Sequence, residues 1–250
     1  MKKGFTLAEV LITLGIIGVV AAMTLPTLIQ NHQKRSLEVA TQKFYSTMSQ
    51  AVKKYMADEG VDDLRNTPLA SENYEEWDSP ETIASIRNFV TKYLKVVEEC
   101  DHEANNCFAP TYKNWDGSAP DYNFTTVANW SEKRDYVLAD GAVIRIRYYG
   151  DMTFPGPIEL YIDVNGKKGP NRVGYDLWNM NIYYDGVIEE SNVGPECRGR
   201  IDSKYDDDFY KCIEYTAHEK RETRFEDICQ EGFYGGCFGH FLNNNFKFDY

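Results

Sequence analysis

Glu9 is the single charged side chain in an apolar run that extends from Gly4 to Pro26. A carboxylate at membrane depth costs roughly 2.5–3.5 kcal/mol on insertion scales. A sequence keeps such a group only where something offsets the cost, so Glu9 reads as functional. The second set of reactive side chains is six cysteines, Cys100, Cys107, Cys197, Cys212, Cys229 and Cys237, all beyond the apolar run. An even count fits disulfides in an oxidising compartment. Six cysteines allow fifteen full pairings, and pairing between sequence neighbours is the working expectation: Cys100 with Cys107, Cys197 with Cys212, Cys229 with Cys237. The alternative is a metal site, but no Cys-x-x-Cys and no histidine pair at zinc spacing occurs. A third candidate is Asp163-Val164-Asn165-Gly166-Lys167-Lys168-Gly169-Pro170-Asn171, with Asp176 beyond it. Its alternating oxygens resemble a calcium loop, yet Lys167 stands where an oxygen is needed and no glutamate closes the loop. The same letters make good turns, so a structural turn is expected and no metal is assigned. His32, His102, His218 and His240 are scattered, and no Gly-x-Ser-x-Gly, His-Glu-x-x-His or phosphate loop is present. The expectation is a non-enzyme without a cofactor.

These groups must be positioned by the elements around them. Phe5–Leu25 is twenty-one residues, about 31 Å as a helix, against a hydrocarbon core of about 30 Å. An ordinary secretory signal has a shorter apolar core and a small-residue cleavage site, which Val20-Ala21-Ala22 imitates. The length of the run, Glu9 inside it and a helical pattern continuing past it argue against that alternative. Lys2 and Lys3 precede the run and Lys34-Arg35 follow it. Positive-inside logic keeps the Lys2-Lys3 end in the cytoplasm and puts the cysteines on the outer side. The formal net charge is −12, and loss of Lys2 and Lys3 with a leader would take it to −14. That balance disfavours nucleic acid as a partner.

Gly4-Phe5-Thr6-Leu7-Ala8-Glu9, behind a short basic leader, resembles the N-terminal signal of type IV pilins and type II secretion pseudopilins. Pro26 also matches a proline common in that family's helices, and the resemblance is strong from Met1 to about Arg35. It implies that a prepilin peptidase cuts after Gly4 and methylates Phe5. It implies that Glu9 pairs with the amine of a neighbouring subunit during assembly. The partners it implies are other pilin-like subunits in a homo- or heteropolymer, the peptidase, an inner-membrane assembly platform and the lipid bilayer. A stretch like Asp163–Gly166 is also a fold landmark in many pilin-like sequences.

Beyond Pro26, Leu37, Ala40, Phe44, Met48, Ala51 and Tyr55 recur at helical steps, with Gly60 as the stop. Residues 61–79 read as a polar surface linker. Ser79-Pro80-Glu81 reads as a helix start, and Ile83, Ile86, Val90, Leu94 and Val97 carry that helix to about 98. The stretch 101–133 is loop-rich, with Asn-x-Thr/Ser matches at Asn123 and Asn129 that are short enough to be chance. The β region is expected from Arg134, with a hairpin at Asp140-Gly141, a strand at Ile158–Val164 and another near Ile182–Ile188. Residues 191–250 read as a cross-linked extension with one short helix near 217–229.

The expected fold is α+β, a long N-terminal helix packed on an antiparallel sheet head with a disulfide-rich C-terminal extension. The expected layout is a leader at 1–4, a membrane or filament-core helix at 5–25, an amphipathic continuation at 26–60, a head at 61–190 and the extension at 191–250. The expected function is a structural subunit, cleaved after Gly4, anchored in the inner membrane with its head outside, and assembled into a type IV pilus or secretion pseudopilus. The alternative is a membrane-tethered or secreted binding or adhesion module that does not polymerise.

Overall fold

A computed structural model of the chain describes residues 6–70, 79–100, 107–120, 135–148, 158–198 and 215–250. Helix α1 runs from Leu7 to Glu59, fifty-three residues, or about 80 Å. Thr6 caps its start in extended conformation, and Gly60 ends it at φ 70°, the left-handed geometry of a glycine C-cap. Pro26 lies inside α1 without ending it, although its ring removes one intrahelical donor. The buried stripe of α1 is Leu37, Thr41, Phe44, Met48, Ala51, Val52, Tyr55 and Met56, the face expected from the three- and four-residue steps.

The linker expected at 61–79 is packed where it is described. A 3-10 turn, Leu64–Asn66, buries Leu64, and Leu69 and Ala70 follow it inside. The Leu64 N–H donates to the Tyr184 carbonyl at 2.8 Å, and the Leu69 N–H to the Tyr55 hydroxyl at 3.3 Å. Polar letters around single leucines concealed this anchorage. Residues 71–78 lie outside the described residues.

Helix α2, Pro80–Tyr93, starts as expected, with the Ser79 hydroxyl accepting from the Thr82 N–H at 3.2 Å. It stops earlier than expected. Leu94 is already extended, and Val96–Cys100 forms strand β1. Leu94 and Val97 keep a helical spacing, but Val97 is exposed, and the adjacent β-branched valines favour a strand. The sheet therefore begins before Arg134.

The other strands are β2 (Asp135–Leu138), β3 (Val143–Tyr148), β4 (Ile158–Asp163), β5 (Leu177–Ile182) and β6 (Ile188–Glu189). All six pair antiparallel in sequence order. Asp140-Gly141 makes the β2–β3 turn, with Gly141 at φ 89° and its N–H donating to the Leu138 carbonyl at 2.8 Å. The strand expected near Ile182–Ile188 is instead a second hairpin. Asp185-Gly186 is its turn, and the Gly186 N–H donates to the Tyr183 carbonyl at 2.8 Å. The strand that feeds it, β5, is buried throughout, so Asn179 and Asn181 alternate with Trp178 and Met180 inside the protein and mask its apolar character.

The C-terminal region carries helix α3, Ala217–Arg224, a π-type turn, Phe225–Cys229, and helix α4, Cys237–Asn243. The first two match the short helix expected near 217–229. Helix α4 was not expected. Phe238, Phe241 and Phe248 close around Trp178 of β5, while Tyr45 of α1 meets Phe238 and Phe246 at 5.8 and 5.3 Å between ring centroids. The extension is thus part of the same core as α1 and the sheet.

Candidate functional site: the bare half of the N-terminal helix

From Thr6 to Gln33 every residue is exposed except the half-buried Ala21. Thirteen of the large apolar side chains in this stretch face outward, from Leu7 through Leu14 and Val20 to Ile29, most of them more than half exposed, and Leu7 reaches 78% exposure. Among the described residues, α1 is the one helix long and apolar enough to cross a membrane. An apolar face of this size does not stay in water unpartnered.

The start of this rod is organised around Glu9. Its Oε2 accepts from the Thr6 N–H and from the Thr6 hydroxyl, both at 2.8 Å. The Thr6 hydroxyl in turn accepts from the Glu9 N–H at 3.3 Å. This is a capping box, in which two otherwise unpartnered helix-start donors are satisfied reciprocally. Both bonds fall on one carboxylate oxygen. The other, Oε1, makes no hydrogen bond among the described residues, and a carboxylate can accept about four. Sequence reasoning missed the part Thr6 plays, although Thr-x-x-Glu is the four-letter signature of this cap. Gly4 and Phe5 lie outside the described residues.

The other end of the rod is where the head takes hold. Lys34 Nζ donates to the Tyr250 main-chain oxygen. Glu38 accepts from the Phe248 N–H at 2.9 Å and from Lys247 Nζ at 3.2 Å. Lys43 pairs with Asp140 of the β2–β3 turn at 2.9 Å. Beside this contact Tyr175 stacks on Phe248, and Tyr250 meets both rings edge-on. The segment that grips α1 is thus separated from it by some two hundred residues of chain, and no local pattern announces it.

The cysteines follow sequence neighbourhood. Cys100 is bonded to Cys107 and Cys229 to Cys237. The second bridge closes an eight-residue separation and contributes about 2.5 kcal/mol in the chain-entropy account. Cys197 is also disulfide-bonded, but its expected partner, Cys212, lies outside the described residues, as do His102, Asn123 and Asn129.

The loop from Asp163 to Asp176 is built as a turn. Asp163 accepts from the Tyr112 hydroxyl at 2.5 Å and from the Asn165 N–H at 3.1 Å. Asp176 accepts from the N–H groups of Asn171 and Arg172 at 2.7 and 2.6 Å. Gly166 sits at φ 64°, where an added Cβ would meet the Gly141 carbonyl oxygen at 2.8 Å. Both carboxylates therefore hold their own loop and its neighbour, and among the described residues no group of three metal-type ligands forms. His240 does find partners, Glu222 on Nδ1 at 2.6 Å and Asp249 on Nε2 at 3.0 Å. The two carboxylates sit on opposite edges of the ring, which suits a hydrogen-bonded tie between α3, α4 and the tail.

Burial pushes the Asp163 carboxyl up to about 8, and the charge of Asp176 adds to the effect; burial also raises Asp176, to about 6. The unfolded chain has ordinary carboxylates near 3.9. The folded state then binds more protons than the unfolded state between those values, so this contribution is complete at acid pH and is lost as pH rises toward 8. The detergent-solubilised chain should have a higher unfolding midpoint at pH 5 than at pH 8. Asp163→Asn should flatten that difference; an unchanged slope would show that the pair does not titrate in this window.

Comparison with known proteins agrees with this division at the membrane-proximal end. A model described as the prokaryotic N-terminal methylation motif matches residues 1–25, the bare half of α1 with the residues before it. A model described as a family of unknown function, DUF6613, matches residues 27–154, from the rest of α1 to just beyond β3. No curated protein matches the chain, and no solved structure does. The chain belongs to the DUF6613 family of unknown function, and its N-terminal methylation motif marks it as a pilin-like, prepilin-type subunit.

Proposed function

We propose that this chain is a structural subunit that is cleaved after Gly4, methylated on Phe5, held in the inner membrane by the apolar half of α1, and then polymerised into a type IV pilus or a secretion pseudopilus. The observation that carries this reading is the abrupt change along one unbroken helix. The helix is bare up to Gln33 and apolar up to Ile29; from Lys34 onward the same helix is the spine of a folded head. A bare rod of this length has two stable environments, lipid and the rods of identical or similar subunits. Transfer from one to the other needs no refolding of the head.

Each part has a role in this reading. Lys2, Lys3 and Gly4 present the leader to a peptidase on the cytoplasmic face. Residues 5–25 anchor, residues 26–60 carry the helix into the head at 61–190, and the extension at 191–250 locks onto it. Glu9 supplies register. Its Oε2 is committed to Thr6, and its Oε1 is left to accept from the amine of a neighbouring subunit. Other pilin-like subunits, the prepilin peptidase and an inner-membrane assembly platform are the partners.

Gly4→Val tests the first step. Glycine allows the chain to lie extended in a narrow cleavage site, and a β-branched residue obstructs it. The variant is expected to accumulate as uncut precursor in the membrane fraction. Processing at the wild-type rate, seen as the normal mobility shift on a gel, would contradict the reading.

A further inference from the structure

We infer that the end of the head from which α1 emerges is a lipid-docking surface, on which Arg35, Lys167 and Lys168 meet the phosphates of anionic phospholipids while the subunit is stored in the bilayer. The inference rests on the membrane-stored subunit proposed above and adds a second contact to its anchor.

Depth is the first argument. Ile29 is the last large apolar residue exposed before the head takes hold at Lys34. Five residues of helix span about 7.5 Å. The polar layer on each side of a hydrocarbon core is about 5–8 Å thick. With the whole exposed apolar stretch from Leu7 to Ile29 in lipid, about 35 Å of helix tilted about 30° to fit a core of about 30 Å, Lys34 and Arg35 lie at headgroup level, and the base of the head comes with them.

Charge is the second argument. The chain is strongly acidic, at −12. Yet residues 30–37 and 164–172, which meet at this end, hold Lys34, Arg35, Lys167, Lys168 and Arg172 and no carboxylate. The two stretches line an open cavity of about 740 Å³, with Gln33, Ser36 and Leu37 on one wall and Gly166–Pro170 on the other. Arg35, Lys167 and Lys168 are exposed and have no hydrogen-bond or ion-pair partner among the described residues. The nearby carboxylates Glu38 and Asp140 are already paired, with Lys247 and Lys43. Glu98 is the one carboxylate of that wall left without a cation among the described residues. A cavity wall of unpaired ammonium groups, held at headgroup depth, is complementary to phosphodiester oxygens.

The test reconstitutes the full chain, head outward, in vesicles of phosphatidylcholine alone or mixed with phosphatidylglycerol. A membrane-impermeant amine reagent then reports the labelling rates of Lys167 and Lys168. Lys53, exposed further along α1, is the internal reference. In the anionic vesicles Lys167 and Lys168 should label roughly fivefold more slowly, the partitioning that one basic residue gains at an anionic surface. High salt should restore the rate, and Lys53 should not change. Equal rates in both lipids, from a chain that resists alkaline extraction, would overturn the docking surface and leave the membrane reading standing. A chain extracted by alkali would overturn both. Slowing in lipid-free filaments but not in anionic vesicles would assign these lysines to a neighbouring subunit and overturn the lipid assignment.

Discussion

Glu9→Leu is expected to be processed normally, to accumulate in the membrane and to be missing from filaments. The substitution makes insertion easier, because it removes a charge that costs roughly 2.5–3.5 kcal/mol at full depth. It leaves Gly4 and Phe5 untouched. In the assembly proposed above, what it removes is the acceptor for a neighbouring amine in a low-dielectric core. Breaking a buried pair by deleting one partner costs about 3–5 kcal/mol, more than a hundredfold in an assembly equilibrium. The capping box complicates a simple reading of this variant, since Glu9 also accepts from the Thr6 N–H and hydroxyl. Losing a cap costs about 0.5–2 kcal/mol of helix stability. Glu9→Gln separates the two effects, because glutamine serves at the third helical position of a capping box but carries no charge. If charge pairing sets register, Glu9→Gln should be excluded from sheared filaments as Glu9→Leu is. Recovery of Glu9→Gln in filaments at wild-type level, with Glu9→Leu still excluded, would assign Glu9 to capping alone. Wild-type incorporation of both would remove it from assembly.

The second large effect is expected at Glu190, in the core. Its Oε1 accepts from the Gly236 N–H at 3.1 Å and its Oε2 from the Gly239 N–H at 2.9 Å. The Ser191 N–H and hydroxyl add bonds at 2.8 and 2.9 Å. The carboxylate thereby caps the start of α4 beside the Cys229–Cys237 bridge and fixes the extension to β6. Burial raises its carboxyl, opposed by the Gly239 N–H and by the Arg224 charge. Glu190→Ala would strand buried backbone donors and open a cavity, a loss of about 3 kcal/mol or more. For a chain of this size that corresponds to a fall in unfolding midpoint of about 6–12 °C. Glu219→Ala, which breaks the exposed capping box of α3, should cost only about 1 kcal/mol. Equal, small shifts for the two variants would show that Glu190 does not hold the extension.

The parts of this fold that were legible in the sequence were those written in short-range letters. The stripe from Leu37 to Tyr55 and the stop at Gly60 defined α1, because one helix face repeats every three to four residues. Ser79-Pro80 gave the start of α2, and Asp140-Gly141 the first hairpin. The misplaced elements were those where a local pattern served another purpose. Leu94 and Val97 prolong a helical period into β1. Asn179 and Asn181 interrupt the apolar run of a strand that is buried throughout. Asp185-Gly186 is a hairpin turn between two β-prone runs so short that they read as a single strand.

Long-range contacts were not legible at all. Nothing in the letters around Glu189 and Glu190 marks them as buried, yet they are 2% and 0% exposed. Their partners, Arg221, Gly236 and Gly239, lie more than thirty residues later. The grip of Lys247–Tyr250 on Lys34 and Glu38 is hidden for the same reason. At the candidate site the position of Glu9 was plain from its isolation in an apolar run. The capping role of Thr6 is written in the Thr-x-x-Glu spacing, where the same carboxylate is also a lone charge in an apolar run.

The reading of the bare half of α1 as a processed pilin-type anchor fixes where the mature chain must begin. The most direct measurement is the intact mass and N-terminal fragment spectrum of the chain purified from membranes. The expected result is a mature chain that begins at Phe5 and carries one added methyl group on its amino terminus. A chain that retains Met1, or one that begins near Met23 after cleavage as an ordinary secretory signal, would contradict it.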